Sequence, residues 1–393
     1  MADILEHIPS FGDLRASGAQ VSAFEEARVQ IVAAGDVPAD EIELGAVVRL
    51  DRGFPMIATA SGELLRAEHA VEFAKGKRKK RGGRGAAARG SAHGKAAGAS
   101  SAGEPEAAGI DGMLPSIGDF VAVRVSPGHD MGVILRVLPR RTAFERWRGK
   151  NRGERQVLAA NVDVIFIVQP LGAERDTLPL MRDRVARSLV LARDCGAEPV
   201  VVLTKVDRCE TAEVAAVMED LRRLAGADVR VIATSSRTGE GLDEVRACIP
   251  RGCVGMILGE SGAGKSTLLN TLLGTEALET NAVRERDDAG RHTTVARIMV
   301  SLPEPCGVIA DCPGLRSLPL VGHERGLARS FSEVVEAAHA CRFNDCTHVH
   351  EPGCAVREGV ASGEIEQVRL DAFLALAGEM RVSAQSIDPD IHM

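Results

Sequence analysis

Gly259-Glu260-Ser261-Gly262-Ala263-Gly264-Lys265-Ser266-Thr267 lies between an apolar run, VGMIL (254–258), and a helix-forming stretch, STLLNTLLG (266–274). A strand, a glycine-rich turn and a helix opening on Lys-Ser together make a phosphate-binding loop. Glycines let backbone N–H groups surround phosphate oxygens at the positive end of the helix. In this reading Lys265 holds the β- and γ-phosphates and Ser266 ligates Mg²⁺. A ligand-free glycine turn would not need the strand, the Lys-Ser pair and the helix at once. The loop alone does not choose between kinase, ATPase and GTPase.

The base-reading residues lie upstream. Thr204-Lys205-Val206-Asp207 ends the apolar run PVVVL (199–203). A carboxylate at Asp207 can accept from both the ring N–H and the exocyclic amine of guanine, and adenine offers no such pair. The Lys205 stem would pack on the base. Ser235 and Ser236, in SSRTG (235–239) after the run VRVIA (229–233), would support the base contact. T-K-x-D is a short match and often only a polar strand end. It gains weight from the second strand-end motif and from the phosphate loop.

Downstream, Asp311-Cys-Pro-Gly314 follows GVIA (307–310). Asp311 would reach Mg²⁺ through water, and the Gly314 N–H would meet the γ-phosphate. Between lies Gly290-Arg-His292-Thr293-Thr294; either threonine can ligate Mg²⁺ when a γ-phosphate is present. Leu315 stands where many GTPases carry a water-orienting Gln. His292 is the local substitute, although on the residues alone it equally fits a loop histidine facing RNA or solvent.

Other apolar runs, VDVIFIV (162–168) and ARIMV (296–300), alternate with helix-period stretches such as LMRDRVARSLVLARD and AEVAAVMEDLRRLAG, which predicts a mostly parallel, doubly covered sheet. From Glu43 to Arg140 short β-type runs (GAVVRLDRG, FPMIATASGELLRAE, GDFVAVRVS, MGVILRVLPR) predict a small β-barrel. It is interrupted at 75–112 by a Gly/Ala/Ser/Lys/Arg-rich segment that cannot bury a core and is expected to be disordered. The expected divisions are an N-terminal extension (1–42), barrel (43–140), linker (141–160), α/β domain (161–328) and C-terminal domain (329–393).

The chain has 393 residues, 45% hydrophobic and 26% charged, with no apolar run long enough to span a membrane. The N-terminus lacks a basic n-region followed by an apolar h-region, so the expected compartment is the cytosol. Net charge is −7, but Lys75 to Lys95 holds nine Lys/Arg and no acid, so the remainder is far more acidic. Aromatics are scarce, with no Tyr and one Trp, so RNA contact by this arm and by Arg140, Arg141, Arg146, Trp147, Arg148 and Lys150 would run mainly through phosphates.

Of nine cysteines, Cys195, Cys209, Cys248, Cys253, Cys306 and Cys312 are scattered. Cys341, Cys346 and Cys354 cluster with His348 and His350, a pattern for metal rather than disulfides. Three thiolates and one imidazole complete a tetrahedral structural Zn²⁺ site with no open position. Either histidine can supply the fourth ligand.

The guanine motifs precede the phosphate loop, so the order of parts is G4, G5, G1, G2, G3. In this order and in the Cys/His segment the chain resembles the RsgA (YjeQ) family of circularly permuted GTPases, which act in maturation of the small ribosomal subunit. The resemblance covers roughly residues 43 to 380. It implies a multidomain fold: an N-terminal OB-fold β-barrel, a central circularly permuted α/β P-loop GTPase domain and a C-terminal helical zinc-binding domain. It further implies GTP and GDP as ligands, Mg²⁺ with GTP, one structural Zn²⁺ per chain on Cys341, Cys346, His348 and Cys354, and catalysis by His292. The implied partners are the 30S subunit and 16S rRNA, bound by a cytoplasmic monomer with no membrane contact and released by hydrolysis. The alternative is a GTP-gated RNA-binding module with negligible turnover, suggested by Leu315; a P-loop kinase fits Asp207 poorly. Thr204, where Asn is usual, Ser236, where Ala is common, and the basic insertion depart from the family pattern. Thr204 loses an amide contact to the base.

Overall fold

The computed structural model describes residues 4–35, 37–51, 54–69, 113–126, 128–148, 154–172, 177–275, 297–312 and 320–387. The basic arm, Lys150, His292, Thr293, Thr294, Gly314 and Leu315 lie outside the described residues.

Five strands close the N-terminal barrel: β1 (Ile42–Leu50), β2 (Met56–Thr59), β3 (Leu64–His69), β4 (Phe120–Arg124) and β5 (Met131–Val137). Their order is β1-β2-β3-β5-β4, and β4 pairs back onto β1. β3 and β5 run parallel and the other neighbours antiparallel. Inward-facing Val47, Ile57, Ala67, Val121, Val123, Ile134 and Val137 fill the interior.

The second sheet runs β10 (Arg230–Ala233), β9 (Glu198–Thr204), β8 (Val164–Pro170), β11 (Val254–Leu258), β13 (Val308–Asp311), β12 (Arg297–Ser301). The first five are parallel, and β12 is antiparallel to β13. Side-chain alternation divides its core. On β8 and β9, Val164, Phe166, Val168, Val200 and Val202 face one layer, with Leu242 of α4 (Leu242–Ala247) and Leu268 and Leu272 of α5 (Lys265–Leu273). Ile165, Ile167, Val201 and Leu203 face the other, with Val185 and Leu189 of α2 (Leu178–Cys195) and Leu221 and Leu224 of α3 (Thr211–Ala225). β12 also pairs with β1, Arg49 opposite Ile298, so barrel and sheet are continuous.

Residues 141–160, expected as a linker, contain a hairpin of β6 (Ala143–Arg148) and β7 (Glu154–Ala160). Its charged positions mask the alternation, but Phe144 and Leu158 are buried in the main core. The N-terminal extension holds α1 (Gly18–Ala33), whose Gln20 amide donates to Asn161 Oδ1 and the Pro139 carbonyl, both at 2.9 Å, where barrel meets sheet.

The C-terminal segment is helical: α6 (Glu324–Ser330), α7 (Ser332–Ala338), α8 (Ala355–Ser362) and α9 (Gln367–Ile387). A Cβ on Gly326 would lie 2.2 Å from the Val190 carbonyl, so a glycine lets α6 lie directly on α2. Buried His323 meets Asp194 of α2 at 2.8 Å. Buried Arg369 of α9 donates to the Leu224 carbonyl of α3 (2.7 Å) and the Ser330 carbonyl (2.6 Å), and pairs with Glu333.

Candidate nucleotide site and metal centre

Parallel strands deliver their C-terminal ends to one edge of the sheet, where ligands of open α/β sheets bind. β11 runs into the phosphate loop, β9 into Thr204–Asp207 and β10 into Ser235–Gly239; Asp311 is the last residue of β13. The described parts of these separated motifs thus lie at one edge of the sheet.

The phosphate loop turns through positive φ at Gly262 (+83°) and Gly264 (+89°), and Gly264 caps α5. A Cβ on Gly259 would lie 2.5 Å from the Val168 carbonyl, so the loop leaves β11 hard against β8. Lys265 Nζ donates to the Gly259 carbonyl (2.7 Å) and the Glu260 carbonyl (2.6 Å), lying over the loop it serves. Ser261 and Thr267 are exposed, Ala263 is buried, and Ser266 is partly exposed in the first turn of α5.

The guanine motif is tied to that loop twice. Buried Thr204 donates its hydroxyl to the Ala263 carbonyl at 2.7 Å, and Lys205 Nζ donates to the Gly262 carbonyl at 2.7 Å. Lys205 adopts the left-handed conformation (φ +63°), which turns its stem back toward the loop, and Val206 is buried beneath. Asp207 Oδ1 accepts from Ser235 Oγ (2.6 Å) and Oδ2 from Arg237 Nε (2.8 Å). The Ser235 hydroxyl first, and Arg237 with it, hold this carboxyl below the ordinary carboxylate range. A carboxylate has about four acceptor sites, so about two remain open to the donors of a ligand. Buried Ser235 also accepts from the Arg237 and Thr238 N–H groups (3.2 Å each), setting the loop in which Ser236 presents its backbone.

Contacts absent from the sequence reading include Thr204 and Lys205 to the phosphate loop, Arg237 to Asp207, and an ion pair between Arg184 of α2 and Glu260 (2.7 Å). Only the placement of Arg237 just after Ser235-Ser236 signals any of them. Arg140, read as a phosphate contact, is instead committed internally. It pairs bidentately with fully buried Asp119 (2.7 Å for both bonds) and donates to the Leu114 carbonyl. Arg141 pairs with Asp163.

At the far end, the ligating atoms of Cys341, Cys346, His348 and Cys354 lie within 4.8 Å of one another. His348 Nδ1 is 3.6 Å from Cys341 Sγ and 3.5 Å from Cys354 Sγ, and the two sulfurs are 3.9 Å apart. Zn–S bonds of about 2.3 Å and a Zn–N bond of about 2.0 Å give tetrahedral edges of about 3.8 and 3.5 Å. The donor set therefore fits Zn²⁺. His348 has φ +62°, which turns its ring inward, and His350 is exposed outside this group. Burial opposes ionisation of the Cys341 thiol, but the N–H groups of Val356 and Ala355, at the start of α8, together with the neighbouring Cys346 and Cys354 thiols, lower its pKa. Glu351 braces the loop, accepting from the N–H groups of Thr347 (3.0 Å), Val349 (3.1 Å) and His350 (3.2 Å).

Residues 137–321 match the family model described as RsgA GTPase. The small ribosomal subunit biogenesis GTPase RsgA of Streptomyces avermitilis is 44% identical over 262 residues, 67% of this chain and 68% of that protein. Its namesake from Methanosarcina acetivorans is 38% identical over 287 residues, 72% and 75% of the two chains. Among solved structures, YjeQ from Thermotoga maritima superposes with a TM-score of 0.58 at 21% identity, covering 86% of this chain and 99% of its own. YloQ, titled a circularly permuted GTPase, gives 0.55 at 19%, covering 87% and 96%. These last two likenesses bear on the fold.

Proposed function

The chain belongs to the RsgA GTPase family, and from that premise we propose that it is a GTP hydrolase that binds the 30S ribosomal subunit during late maturation and leaves on hydrolysis. It is a GTPase of ribosome biogenesis; the docking and release are our reading. The observation that carries the nucleotide assignment is the double tie of Thr204 and Lys205 to the Ala263 and Gly262 carbonyls, which makes base motif and phosphate loop one unit.

In this reading Gly259 to Thr267 and Gly314 bind the phosphates, and Thr204 to Asp207 with Ser235 and Ser236 bind guanine. Ser266, Asp311 and one of Thr293 or Thr294 hold Mg²⁺, which neutralises charge on the β- and γ-phosphates when bound. His292 orients the attacking water, a role left open by Leu315. Replacing His292 with Ala should preserve nucleotide affinity and remove most subunit-stimulated turnover. Cys341, Cys346, His348 and Cys354 hold one structural Zn²⁺.

The barrel (43–140) and zinc domain (329–393) supply the contacts to 16S rRNA, and the G domain (161–328) supplies the chemistry, with 1–42 and 141–160 joining them. The nine Lys/Arg of residues 75–95 support this division. Deleting them should weaken subunit binding and flatten its salt dependence. The protein acts as a cytoplasmic monomer; among the described residues no helix is long and apolar enough to cross a membrane.

Co-sedimentation with purified 30S and 50S subunits tests the proposal. Tight binding to 30S with a non-hydrolysable GTP analogue and weak binding with GDP is expected. Equal 30S affinity in the two states would refute release by hydrolysis.

A further inference from the structure

The phosphate loop carries a carboxylate of its own. Glu260, the loop's second residue, is half-exposed and pairs through Oε2 with Nη2 of Arg184 at 2.7 Å. Its carbonyl also accepts from Lys265 Nζ at 2.6 Å. Of the two loop residues whose carbonyls accept from Lys265, Gly259 and Glu260, it is Glu260 that brings a second cation to the loop. An acidic side chain there repels an incoming polyphosphate, and the guanidinium beside it offsets that repulsion.

We propose that Arg184 is a γ-phosphate-sensing residue, held on Glu260 in the GDP state and drawn from it by the added phosphoryl group of GTP. This rests on reading Gly259 to Thr267 as the GTP phosphate site. Guanidinium binds phosphate and carboxylate with the same forked geometry, so the two anions compete for one partner. GDP and GTP differ at the phosphoryl group whose charge decides that competition.

The placement of Arg184 gives the exchange a consequence. α2 is an 18-residue helix that meets the C-terminal segment at its middle and at its C-terminal end. Three residues beyond Arg184, Arg187 pairs with Glu379 of α9 (Nη1 to Oε1 2.7 Å). At the last residue but one of α2, Asp194 holds His323 just ahead of α6. A change of partner at Arg184 is thus felt by the helix on which the C-terminal segment docks.

The test is titration of full-length protein with fluorescent GDP and a non-hydrolysable GTP analogue, in wild type, Arg184→Met, Glu260→Gln and the double variant. Methionine keeps the aliphatic stem and removes the charge. Arg184→Met should lower affinity for the analogue relative to GDP by about tenfold, the scale of one charge-assisted contact. Glu260→Gln removes the competitor and should raise that ratio. The double variant should show the Arg184→Met ratio, because no sensor remains. An unchanged ratio in Glu260→Gln, which keeps Arg184, overturns the proposal even if Arg184→Met fails to fold. Wild type that binds neither nucleotide would instead sink the underlying reading of the site.

Discussion

Thr204 Oγ1 donates to the Ala263 carbonyl at 2.7 Å, so the residue that opens the guanine motif also anchors the phosphate loop. The two are 59 residues apart and lie on different strands' ends. Thr204→Val keeps the shape but leaves a buried carbonyl without its donor, at a cost of about 1–3 kcal/mol. GDP and GTP affinity should both fall roughly tenfold, measured by fluorescent-nucleotide titration. Thr204→Ser should restore most of it, and a Thr204→Val protein with wild-type affinity would remove Thr204 from the site.

Asp207 should confer selectivity for guanine. Asp207→Asn leaves an amide donor facing guanine donors and should shift preference toward xanthine nucleotides, scored by competition. The pH response has a definite sign. The folded pKa is lowered, so the anion's contribution is present above the ordinary carboxylate value and is lost as pH falls through the depressed one. Guanine binding should therefore persist on acidification to below the ordinary carboxylate range while the fold holds. Ser235→Ala removes the main cause of the shift and should move the acid limb of GDP binding to higher pH.

One zinc per chain is expected by metal analysis of protein purified without chelators. Chelation or Cys341→Ser should release it and unfold the loop around Glu351 and the start of α8, seen as lost amide protection there, while the G domain still binds GDP. His350→Ala should retain the metal and His348→Ala should not. Full zinc in the His348 variant would assign the fourth ligand elsewhere.

Much of this was legible along the chain, and the exceptions share a cause. β8 and β9 read as strands because both faces are buried, which makes their apolar runs continuous. The four residues that come together as a candidate metal centre fall within a 14-residue window, so the sequence already groups the three cysteines with two histidines. Choosing His348 over His350 from the structure needs the left-handed backbone at His348, which spacing does not encode. The β6–β7 hairpin was hidden because Glu145, Arg146, Arg155 and Gln156 interrupt its apolar positions. Arg140 read as a free cation because its partner, Asp119, is 21 residues away and is brought to it by the closing of the barrel. Such side-chain contacts across sequence follow from the fold and leave no local pattern.

Arg369 should carry the docking of α9. Arg369→Met abandons the Leu224 and Ser330 carbonyls and leaves Glu333 unpaired, a loss of about 3 kcal/mol for a largely buried pair. The melting temperature should drop and protease cleavage ahead of α9 should rise, with zinc content unchanged. An unaltered melting temperature would show that α9 is held by its apolar contacts alone.

GTP turnover by the full-length protein, alone and with purified 30S or 50S subunits, tests the account most directly. A slow basal rate, strong stimulation by 30S, little by 50S and none with ATP as substrate is the predicted result. Turnover unchanged by 30S subunits, or an equal rate with ATP, would contradict it.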